Sequence, residues 1–434
     1  MQSITRNIVI VGAGAAGLLA AGHAAEAGAR VTLLEKMARP GRKLAITGQG
    51  RCNLTNVTPL GEFAGHFGEG RRFIRHALSR FTPDDLIDLL DQLGVATVTE
   101  RGGRVFPESQ DARRVVEALL AWVRAREVRF ETGARVAGLE LEGGGVRGVR
   151  VASAQKGAGD AARLAPADAV ILATGGASYP ATGSTGDGYR LAREAGHRIA
   201  TIHPALVPLV TRGDVAPRLE GLSLRLVTAQ IWAGGKKRAE QFGDMVFTSD
   251  GLSGPIILSL SKLAGELLAA GEAVRVCIDL KPALDDAKLD RRLLRDLDAK
   301  GKRTLGVLLR GLMPKRLIPV CCEQCGLGPE LPANQVSAAQ RRRLRVWLKS
   351  FCFDLERSRP LAEGIVTAGG VARDEIDPRT MASRICPGLF MAGELIDIDA
   401  DTGGYNLQAA FSTGWVAGEA AAKQGLPRAE RESQ

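Results

Sequence analysis

The amino-terminal pattern of apolar and glycine-rich blocks is that of a strand, a turn, a helix and a second strand. Ile8–Val11 is a short run of β-branched residues, which is typical of a parallel strand buried on both faces. Gly12–Gly17 (Gly-Ala-Gly-Ala-Ala-Gly) predicts a sharp turn, and Leu18–Ala27 predicts the helix after it. Val31–Leu34 predicts the second strand, which ends at Glu35. The pattern therefore predicts a β-α-β unit.

The glycine turn carries a dinucleotide-binding fingerprint. Gly12 permits the turn, Gly14 lets a pyrophosphate approach the backbone, and Gly17 lets the helix pack closely on the strand. The helix start at Ala15-Ala16 offers free N–H groups and the positive end of a dipole to phosphates. Glu35 follows Gly17 by 18 residues, where a carboxylate can accept both hydroxyls of an adenosine ribose. A glutamate at this position favours FAD or NAD over NADP.

Further strands are predicted between Val128 and Ala173, before the sequence pattern changes at His197. Val128–Val136 predicts a third parallel strand, with Val136 beside the adenine. Val136–Val151 alternates apolar and polar residues around glycines and predicts an antiparallel hairpin. Its second literal G-x-G-x-x-G is discarded because no helix follows it. Ala169–Ala173 predicts another buried strand, and the Thr174-Gly175-Gly176 turn after it is expected to pass close to FAD.

From His197 onward the pattern becomes that of short strands separated by turns. Ile199–Ile231 and Met245–Leu280 are typical of a β-barrel or a β-sandwich. Asp285–Arg316 and Val336–Leu348 then predict helices. A strand pattern at Gly388–Leu395 and a glycine-rich helix start return the chain to the first pattern.

Positive charge is concentrated in the predicted helices. The 434-residue chain has a net charge of +10, and Ala287–Lys349 alone holds 15 Lys/Arg against 5 Asp/Glu. Clustered basic residues are the electrostatic footprint of nucleic-acid binding, although a basic helical face is often merely solvated. Trp347, Phe351 and Phe353 are the candidates for stacking on bases. The candidate nucleic-acid contacts, which become candidate rRNA contacts through the family resemblance described below, are Arg291, Arg292, Arg295, Arg303, Arg341, Arg342 and Arg343.

Composition limits the class of protein and the cellular compartment that the sequence predicts. No apolar run reaches the roughly 18 residues that a membrane span needs. The apolar stretch after Arg6 contains the glycine fingerprint, so it is not interpreted as a signal peptide. Seven cysteines at irregular spacing predict reduced thiols and a cytoplasmic protein. No metal site is predicted, because the single C-x-x-C at Cys322–Cys325 lacks a second pair, and the acids at Asp397, Asp399 and Asp401 are more often solvated.

The loop after Glu35 and the start of the last helix supply further candidates. Arg42, Lys43 and Arg51 could neutralise phosphate, although an ordinary turn-rich loop is the alternative. The helix start at Gly404–Leu407 is a second site that favours negative charge, at the N1/O2 edge of a flavin. The candidate cofactor-binding residues are Gly12, Gly14, Ala15, Ala16, Gly17, Glu35, Lys36, Arg42, Lys43, Gly48, Arg51, Cys52, Asn53, Val136, Thr174, Gly175, Gly176, Gly393, Glu394, Gly404, Tyr405, Asn406 and Leu407.

These motifs together resemble the BaiN/YhiN-type family of bacterial FAD-dependent oxidoreductases, also labelled aminoacetone-oxidase-like. The matching motifs span nearly the whole chain in order. They are Gly12–Gly17, Glu35-Lys36, Gly50–Asn56, Gly103–Pro107, Ala173–Gly176, Gly251–Pro255, Thr367–Val371, Ala392–Glu394 and Thr402–Gln408.

The resemblance implies an α/β fold, with a Rossmann-like FAD-binding domain built from both chain ends and an inserted β-barrel domain carrying a small helical subdomain. The expected FAD-binding domain is 1–196 and 363–434, the barrel 197–282 with a return strand at 346–362, and the basic helical subdomain 283–345. FAD is expected to be bound tightly and non-covalently, with NAD(P)H as a transient electron donor.

The resemblance also implies chemistry. Family members are described as NAD(P)H-using flavin reductases of activated C=C bonds, including those of unsaturated steroid ketones, and one branch as reducing rRNA uridine to dihydrouridine. The common step is hydride delivery from reduced flavin N5 to the β-carbon of an enone-like system, with Tyr405, Tyr179 and Arg51 as candidate acids. We expect a small-molecule C=C reductase. The alternatives are the same chemistry on RNA, or a non-catalytic FAD-containing RNA-binding or assembly factor.

Overall fold

A computed structural model describes residues 5–152, 162–299, 301 and 303–423. The described residues within 1–203 and 361–434 form one compact unit, and those within 204–360 form the other. The strands are β1 (Asn7–Val11), β2 (Arg30–Glu35), β3 (Thr55–Asn56), β4 (Thr97–Thr99), β5 (Arg104–Pro107), β6 (Arg129–Thr132), β7 (Val136–Glu142), β8 (Gly145–Val151), β9 (Arg163–Pro166), β10 (Ala169–Leu172), β11 (Ile199–Ala205), β12 (Leu209–Thr211), β13 (Ser223–Ala233), β14 (Lys236–Phe247), β15 (Gly251–Ser253), β16 (Val274–Asp279), β17 (Phe351–Ser358), β18 (Val366–Val371) and β19 (Leu389–Met391). The helices are α1 (Ala15–Glu26), α2 (Leu60–Phe63), α3 (Arg71–Arg80), α4 (Pro83–Gln92), α5 (Ala112–Arg124), α6 (Asp187–Glu194), α7 (Val215–Arg218), α8 (Pro255–Ala269), α9 (Asp286–Ala299), α10 (Leu305–Leu309), α11 (Leu317–Cys325), α12 (Ala338–Lys349) and α13 (Tyr405–Lys423).

A five-stranded parallel sheet organises the first unit. Its strand order is β19-β10-β1-β2-β6, so the strand from the carboxyl-terminal part lies beside those from the amino-terminal part. In the central strand, Ile8 pairs with Val31 of β2 on one side and with Ala169 of β10 on the other. Both faces of β1 are buried, which explains why Ile8–Val11 carries no polar residue. The predicted Rossmann-like domain built from both chain ends is confirmed.

Two helices from opposite chain ends pack with their backbones almost touching. A Cβ added at Gly414 of α13 would lie 2.2 Å from the carbonyl oxygen of Ala16 in α1, and one at Gly418 would lie 2.4 Å from that of Ala20. Because Ala16 faces Gly414 and Ala20 faces Gly418, the helices run in the same direction. Helix α13 begins nine residues before its contact residue Gly414, and α1 begins one residue before Ala16, so the start of α13 lies about 12 Å beyond the start of α1 on the amino-terminal side.

The second unit is built around a closed barrel. Its strand order is β12-β15-β14-β13-β16-β17, which confirms the predicted inserted barrel. The barrel interior holds Phe247, Phe351 and Phe353, whose rings contact one another. Trp347 is 7% exposed and its indole N–H donates to Gln324 at 2.7 Å. The prediction that Trp347, Phe351 and Phe353 stack on RNA bases is therefore wrong, because these rings form the core of the unit.

Helices α9–α12 form the small subdomain of the second unit. The single helix predicted over Asp285–Arg316 is wrong: α9 ends at Ala299, and the short α10 follows from Leu305. Gly301, Gly311 and Pro314 interrupt the helical pattern there. The C-x-x-C lies in α11, where Cys321, Cys322 and Cys325 are all buried.

The structure corrects the prediction that every thiol is reduced. Cys277 of β16 and Cys352 of β17 form a disulfide, since they lie directly opposite each other on paired strands. They are 75 residues apart in sequence, so spacing alone could not pair them. The other five cysteines are free and buried. The described residues hold no cluster of three or more potential metal ligands, and none of their helices is long and apolar enough to span a membrane.

Candidate functional site

The three fingerprint glycines differ in how much space surrounds the position of an added Cβ. A Cβ at Gly12, whose φ is +103°, would lie 2.5 Å from the Ala173 carbonyl oxygen, and one at Gly17 would lie 1.8 Å from that of Gly12. Both glycines are therefore required by the packing of the protein itself. A Cβ at Gly14 would meet no atom within 4 Å. The space beside Gly14 is thus an open cradle at the start of α1, and it fits a pyrophosphate.

The Glu35 carboxylate is held at the rim of this cradle. Its Oε2 accepts a hydrogen bond from the Ala13 N–H at 2.9 Å, and its Oε1 accepts from the Met37 N–H at 2.8 Å. Each oxygen keeps a further lone pair, which suits ribose hydroxyls. The N–H groups of Ala15 and Ala16 open the first turn of α1, where no intrahelical acceptor exists for them. That these residues hold the adenosine and pyrophosphate stays a prediction.

A cluster of side chains joins four separate segments of the first unit, and we call Lys43, Ser178, Thr367 and Glu394 the ionic cluster. Ser178 and Thr367 are buried, and Lys43 and Glu394 are half-buried. Lys43 Nζ donates to Glu394 Oε2 at 2.6 Å and to Ser178 Oγ at 2.7 Å. Glu394 Oε1 accepts from the Thr367 N–H at 2.7 Å and from Ser178 Oγ at 3.1 Å. Thr367 Oγ1 accepts from the N–H groups of Ala177 and Ser178.

The electrostatics of the cluster keep the carboxylate ionised. Burial by itself raises the pKa of Glu394, but the Lys43 ammonium and the Thr367 hydrogen bonds outweigh it and hold the pKa below its usual value. Lys43 was predicted to neutralise phosphate, and its ammonium is instead engaged by Glu394 and Ser178. Lys36 is likewise engaged, by Thr185 and by Asp187 at 2.8 Å. Ser178 and Thr367 were missed as site residues because small hydroxyl side chains carry little signal in a sequence.

The loop between these two lysines and β3 contains one unsatisfied buried group. Asn53 Oδ1 is buried and has no hydrogen-bond partner in the described part of the chain. Cys52 beside it is fully buried at a φ of +63°, and burial raises the pKa of its thiol to about 12. Arg42 and Gly48 are exposed. Asn53 is therefore free to hydrogen-bond to a bound group, whereas Cys52 is a packing residue rather than a thiolate.

The Arg51 side chain is engaged by neighbouring side chains of the same chain. Its guanidinium pairs with Glu100, its Nε donates to Gln110, and its Cζ lies 4.1 Å from the centre of the Phe106 ring. Tyr179 lies in the loop after β10 at a φ of +51°, half-buried. Their proposed roles as acids stay predictions.

The remaining predicted residues lie where the parallel strands end. Thr174–Gly176 follow β10, and a Cβ at Gly176 would lie 2.3 Å from Thr367 Oγ1. Gly393 follows β19, and a Cβ there would lie 2.9 Å from Ala16 Cβ. Val136 is buried at the start of β7. The carboxyl edge of the sheet therefore brings the amino-terminal turn and the Gly393-Glu394 segment together, as expected for a ligand site in this type of sheet.

Helix α13 begins in a tightly built turn. Gly404, at a φ of +102°, would place a Cβ 2.4 Å from the Thr55 carbonyl oxygen, and Asn56 donates to the Gly403 carbonyl at 3.1 Å. The Asn406 side chain bonds the N–H and carbonyl of Ala400 at 2.9 Å each, so it closes the preceding loop. Leu407 is half-buried. The N–H groups of the first turn remain to face a negatively charged group.

Tyr405 begins α13 and is almost fully buried. Its hydroxyl lies 3.1 Å from Thr58 Oγ1, its ring packs edge-on against Phe63, and the His66 ring stacks on it with centroids 3.9 Å apart. Burial raises the pKa of the Tyr405 hydroxyl. His66 Nδ1 lies 2.9 Å from Asp401 Oδ2. Sequence reasoning missed His66 because no motif contains it.

The basic helices of the second unit are only partly free. Arg341 bonds Asp290 through Nε at 3.1 Å, while Arg292 and Arg295 pair with Asp296. Arg341 is therefore bound to its own protein and is a poor phosphate contact. The predicted contacts that are exposed and have no ion pair among the described residues are Arg291, Arg303, Arg342 and Arg343.

Comparison with known proteins matches the chain over nearly its whole length. The family described as HI0933-like protein Rossmann domain matches residues 6–420. A 3-dehydro-bile acid delta(4,6)-reductase of Clostridium scindens is 34% identical over 420 residues, covering 96% of this chain and 99% of that protein. A ribosomal RNA dihydrouridine synthase of Escherichia coli is 29% identical over 414 residues, covering 94% of this chain and 96% of that protein.

Solved structures share the fold. A 3-ketosteroid delta1-dehydrogenase of Sterolibacterium denitrificans gives a TM-score of 0.54 at 14% identity, covering 97% of this chain and all of that one. A flavocytochrome c3 fumarate reductase gives a TM-score of 0.52 at 18% identity, covering 98% of this chain and 79% of that one. At such low identity the likeness shows the fold alone.

Proposed function

Because this chain belongs to the HI0933-like family of FAD-dependent oxidoreductases, we propose that it reduces a carbon–carbon double bond conjugated to a carbonyl group. Two similar proteins support this bond class. One is named a 3-dehydro-bile acid delta(4,6)-reductase, and the other is named for making dihydrouridine, which is uridine with one ring C=C reduced. An electron-poor double bond is the feature that the two named reactions share.

The observation that carries the proposal is the pair of parallel helix starts. The amino end of α1 opens at the Gly14 cradle, and that of α13 lies about 12 Å beyond it on the amino-terminal side of the packed helices. The first positive end suits a pyrophosphate, and the second suits the negative charge of a reduced flavin ring. Two such ends, offset along parallel helices, support a single extended cofactor of the FAD type.

Different residues of this chain would bind FAD, hold the shape of its site and assist the reduction of the substrate. Ala15 and Ala16 would present N–H groups to the phosphates of FAD, and Glu35 would accept hydrogen bonds from the ribose hydroxyls. Lys43 and Glu394 tie the loop after β2 to the turn after β19. FAD would supply two-electron hydride chemistry, and the first turn of α13 would favour negative charge on the ring. The carbonyl of the substrate requires an acid or a hydrogen-bond donor beside it.

We propose that NADH or NADPH is the electron donor. We also propose that the enzyme is cytoplasmic, where both nucleotides are available. The sequence holds one dinucleotide fingerprint in the right context, and the FAD adenosine uses it. A nicotinamide donor would therefore bind at the substrate site and leave it before the substrate binds. This order of events predicts ping-pong kinetics.

The test follows the visible absorbance of the purified protein without oxygen. We expect FAD to copurify, NADH or NADPH to bleach it, and an enone such as cyclohexenone or testosterone to restore it with formation of the saturated ketone. Reduced protein that no enone and no uridine-containing RNA reoxidises would contradict the proposal. Failure of every donor, dithionite included, to bleach the flavin would favour a non-catalytic factor.

A uridine in RNA is the second candidate substrate. The observation that favours it is the set of exposed arginines without ion pairs in the helical subdomain, with Arg342 and Arg343 adjacent on α12. Exposed arginines bind phosphate through charge-assisted hydrogen bonds. Reduction of uridine to dihydrouridine in an rRNA fragment, detected as a mass gain of two hydrogens, would identify this substrate.

A further inference from the structure

We infer that His66 is the proton donor of the proposed reduction and that Asp401 is its positioning residue. The inference deepens the proposed function and rests on it. His66 lies in the turn between α2 and α3, and its ring stacks on Tyr405, the first residue of α13. The imidazole therefore lies at the helix start to which the proposed function assigns the flavin ring.

The contacts of the imidazole leave one nitrogen available. Nδ1 bonds to Asp401 Oδ2 at 2.9 Å, and the Asp401 N–H donates to the His66 carbonyl oxygen at 3.2 Å. These two bonds set the ring orientation and place the Nδ1 proton toward the carboxylate. Nε2 has no hydrogen-bond partner among the described residues. The side chains of His66 and Asp401 are 34% and 33% exposed, so a ligand can reach this pair.

Tyr405 is less suited to the same task. Its hydroxyl is engaged by Thr58, its ring is covered by Phe63 and His66, and burial raises its pKa, which opposes loss of the proton. An imidazole changes charge near neutral pH and can both give a proton and recover it from water. The Tyr405 ring then serves as the platform on which the His66 ring lies.

The charges around this pair are mixed. Asp401 is the acid in contact with the imidazole, and Glu62 acts on Tyr405 from α2. Glu69 follows His66 in the same turn and pairs with Arg373 at 3.2 Å, and Arg373 also faces Asp397 at 3.6 Å. The charged group in contact with the imidazole is thus the Asp401 carboxylate.

The proposed step balances as one hydride and one proton. The hydride carries two electrons from the reduced cofactor to the β-carbon of the enone, and the π bond breaks. The proton on His66 Nε2 goes to the α-carbon, where the new C–H bond forms. His66 then regains its proton from solvent, so the net reaction consumes one hydride and one solvent proton and yields the saturated ketone and the oxidised cofactor.

The test compares His66→Gln with His76→Gln, a matched change at a partly exposed position within α3. Each protein is reduced with dithionite and mixed without oxygen with cyclohexenone or, separately, with ferricyanide, which takes electrons without a proton to carbon. We expect His66→Gln to slow reoxidation by the enone by about 100-fold or more and to leave the ferricyanide rate unchanged. His76→Gln should match the wild type in both reactions.

Two further readouts separate proton donation from a structural role. Added imidazole should restore part of the enone rate of His66→Ala. In deuterated water the wild type should place deuterium on one face of the α-carbon, whereas His66→Gln should lose that preference because solvent protonates either face. Asp401→Asn should lower the enone rate less than His66→Gln and shift the pH at which that rate falls.

Three results would overturn the inference. The first is an unchanged enone rate in His66→Gln. The second is an equal loss with enone and ferricyanide, since that would mean damage to the flavin site. The third is an unchanged deuterium face preference. If the wild type itself is reoxidised by ferricyanide but by no enone or uridine, the proposed function fails, and the assignment of His66 fails with it.

Discussion

Lys43 Nζ lies 2.6 Å from Glu394 Oε2, although 351 residues separate the two in sequence. One residue comes from the loop after β2 and the other from the turn after β19. Their side chains are about one-fifth exposed, and Ser178 and Thr367 complete the hydrogen bonding. A carboxylate and an ammonium from opposite chain ends thus join the two parts of the cofactor-binding unit at the carboxyl edge of the sheet.

The first prediction concerns stability and pH. Glu394→Gln leaves the Lys43 charge half-buried without its partner and should lower the free energy of unfolding by about 2–3 kcal/mol, somewhat less than for a fully buried pair. Because the folded-state pKa of Glu394 lies below its usual value, the pair contributes fully above the unfolded pKa of about 4.3, and that contribution is lost as the pH falls through the folded pKa.

Urea unfolding of the wild type and Glu394→Gln at several pH values between neutral and acid measures this effect. The difference in stability should shrink as the pH falls. Glu419→Gln, which breaks the more exposed pair with Arg80, is the control and should cost under about 1 kcal/mol. A difference that persists unchanged into acid would argue against the ion pair as its source.

The second prediction separates cofactor binding from folding at two neighbouring glycines. Gly14→Ala adds a methyl to an empty space, so the protein should fold with a loss of under about 1 kcal/mol, as expected for alanine at a helix start, yet purify with little FAD. Gly17→Ala drives a methyl against the Gly12 carbonyl and should prevent stable folding. Flavin absorbance per protein and thermal melting distinguish the two. A Gly14→Ala protein with full flavin content would show that the cradle does not hold the pyrophosphate.

The third prediction concerns the contact between α1 and α13. Gly414→Ala brings a Cβ to 2.2 Å from the Ala16 carbonyl, and it should destabilise the protein by about 2 kcal/mol or more despite the better helix preference of alanine. Gly61→Ala is the control, since a Cβ there meets nothing within 4 Å. Thermal melting measures both variants. Equal stability of the two would mean that α13 can shift away from α1 at little cost.

The fourth prediction tests RNA binding through the helical subdomain. Arg342→Glu combined with Arg343→Glu should weaken binding of an rRNA fragment and make the slope of log K against log salt concentration shallower. Arg341→Gln is the matched control, because its guanidinium is held by Asp290. It should cost stability and leave the salt dependence unchanged. Binding that does not weaken with salt in the wild type would exclude the RNA substrate, while the small-molecule proposal would stand.

Much of the fold followed from local pattern. The β-branched Ile8–Val11 run, the spacing of the fingerprint glycines and the change to short strands near His197 predicted the parallel sheet and the barrel. Such signals are local, because a strand buried on both faces needs an apolar run and a turn against a helix needs glycine. The hairpin at Val136–Val151 also formed, as β7 and β8.

The failures share a physical cause, since each required knowledge of which residues meet in space. Trp347 and its neighbouring phenylalanines resembled base-stacking residues, but the barrel closes over them. Cys277 and Cys352 appeared as unrelated thiols, but strand register places them opposite each other. Arg341 appeared as a free cation, but Asp290 lies on the facing helix.

The sequence by itself determined the dinucleotide turn, the type of sheet and the order of the domains, because these depend on neighbours within a few residues. Only the tertiary structure decided what Lys43 contacts, where Tyr405 directs its hydroxyl and which nitrogen of His66 remains open. Those outcomes depend on contacts between segments hundreds of residues apart, and the parallel packing of α1 and α13 is what brings the segments together.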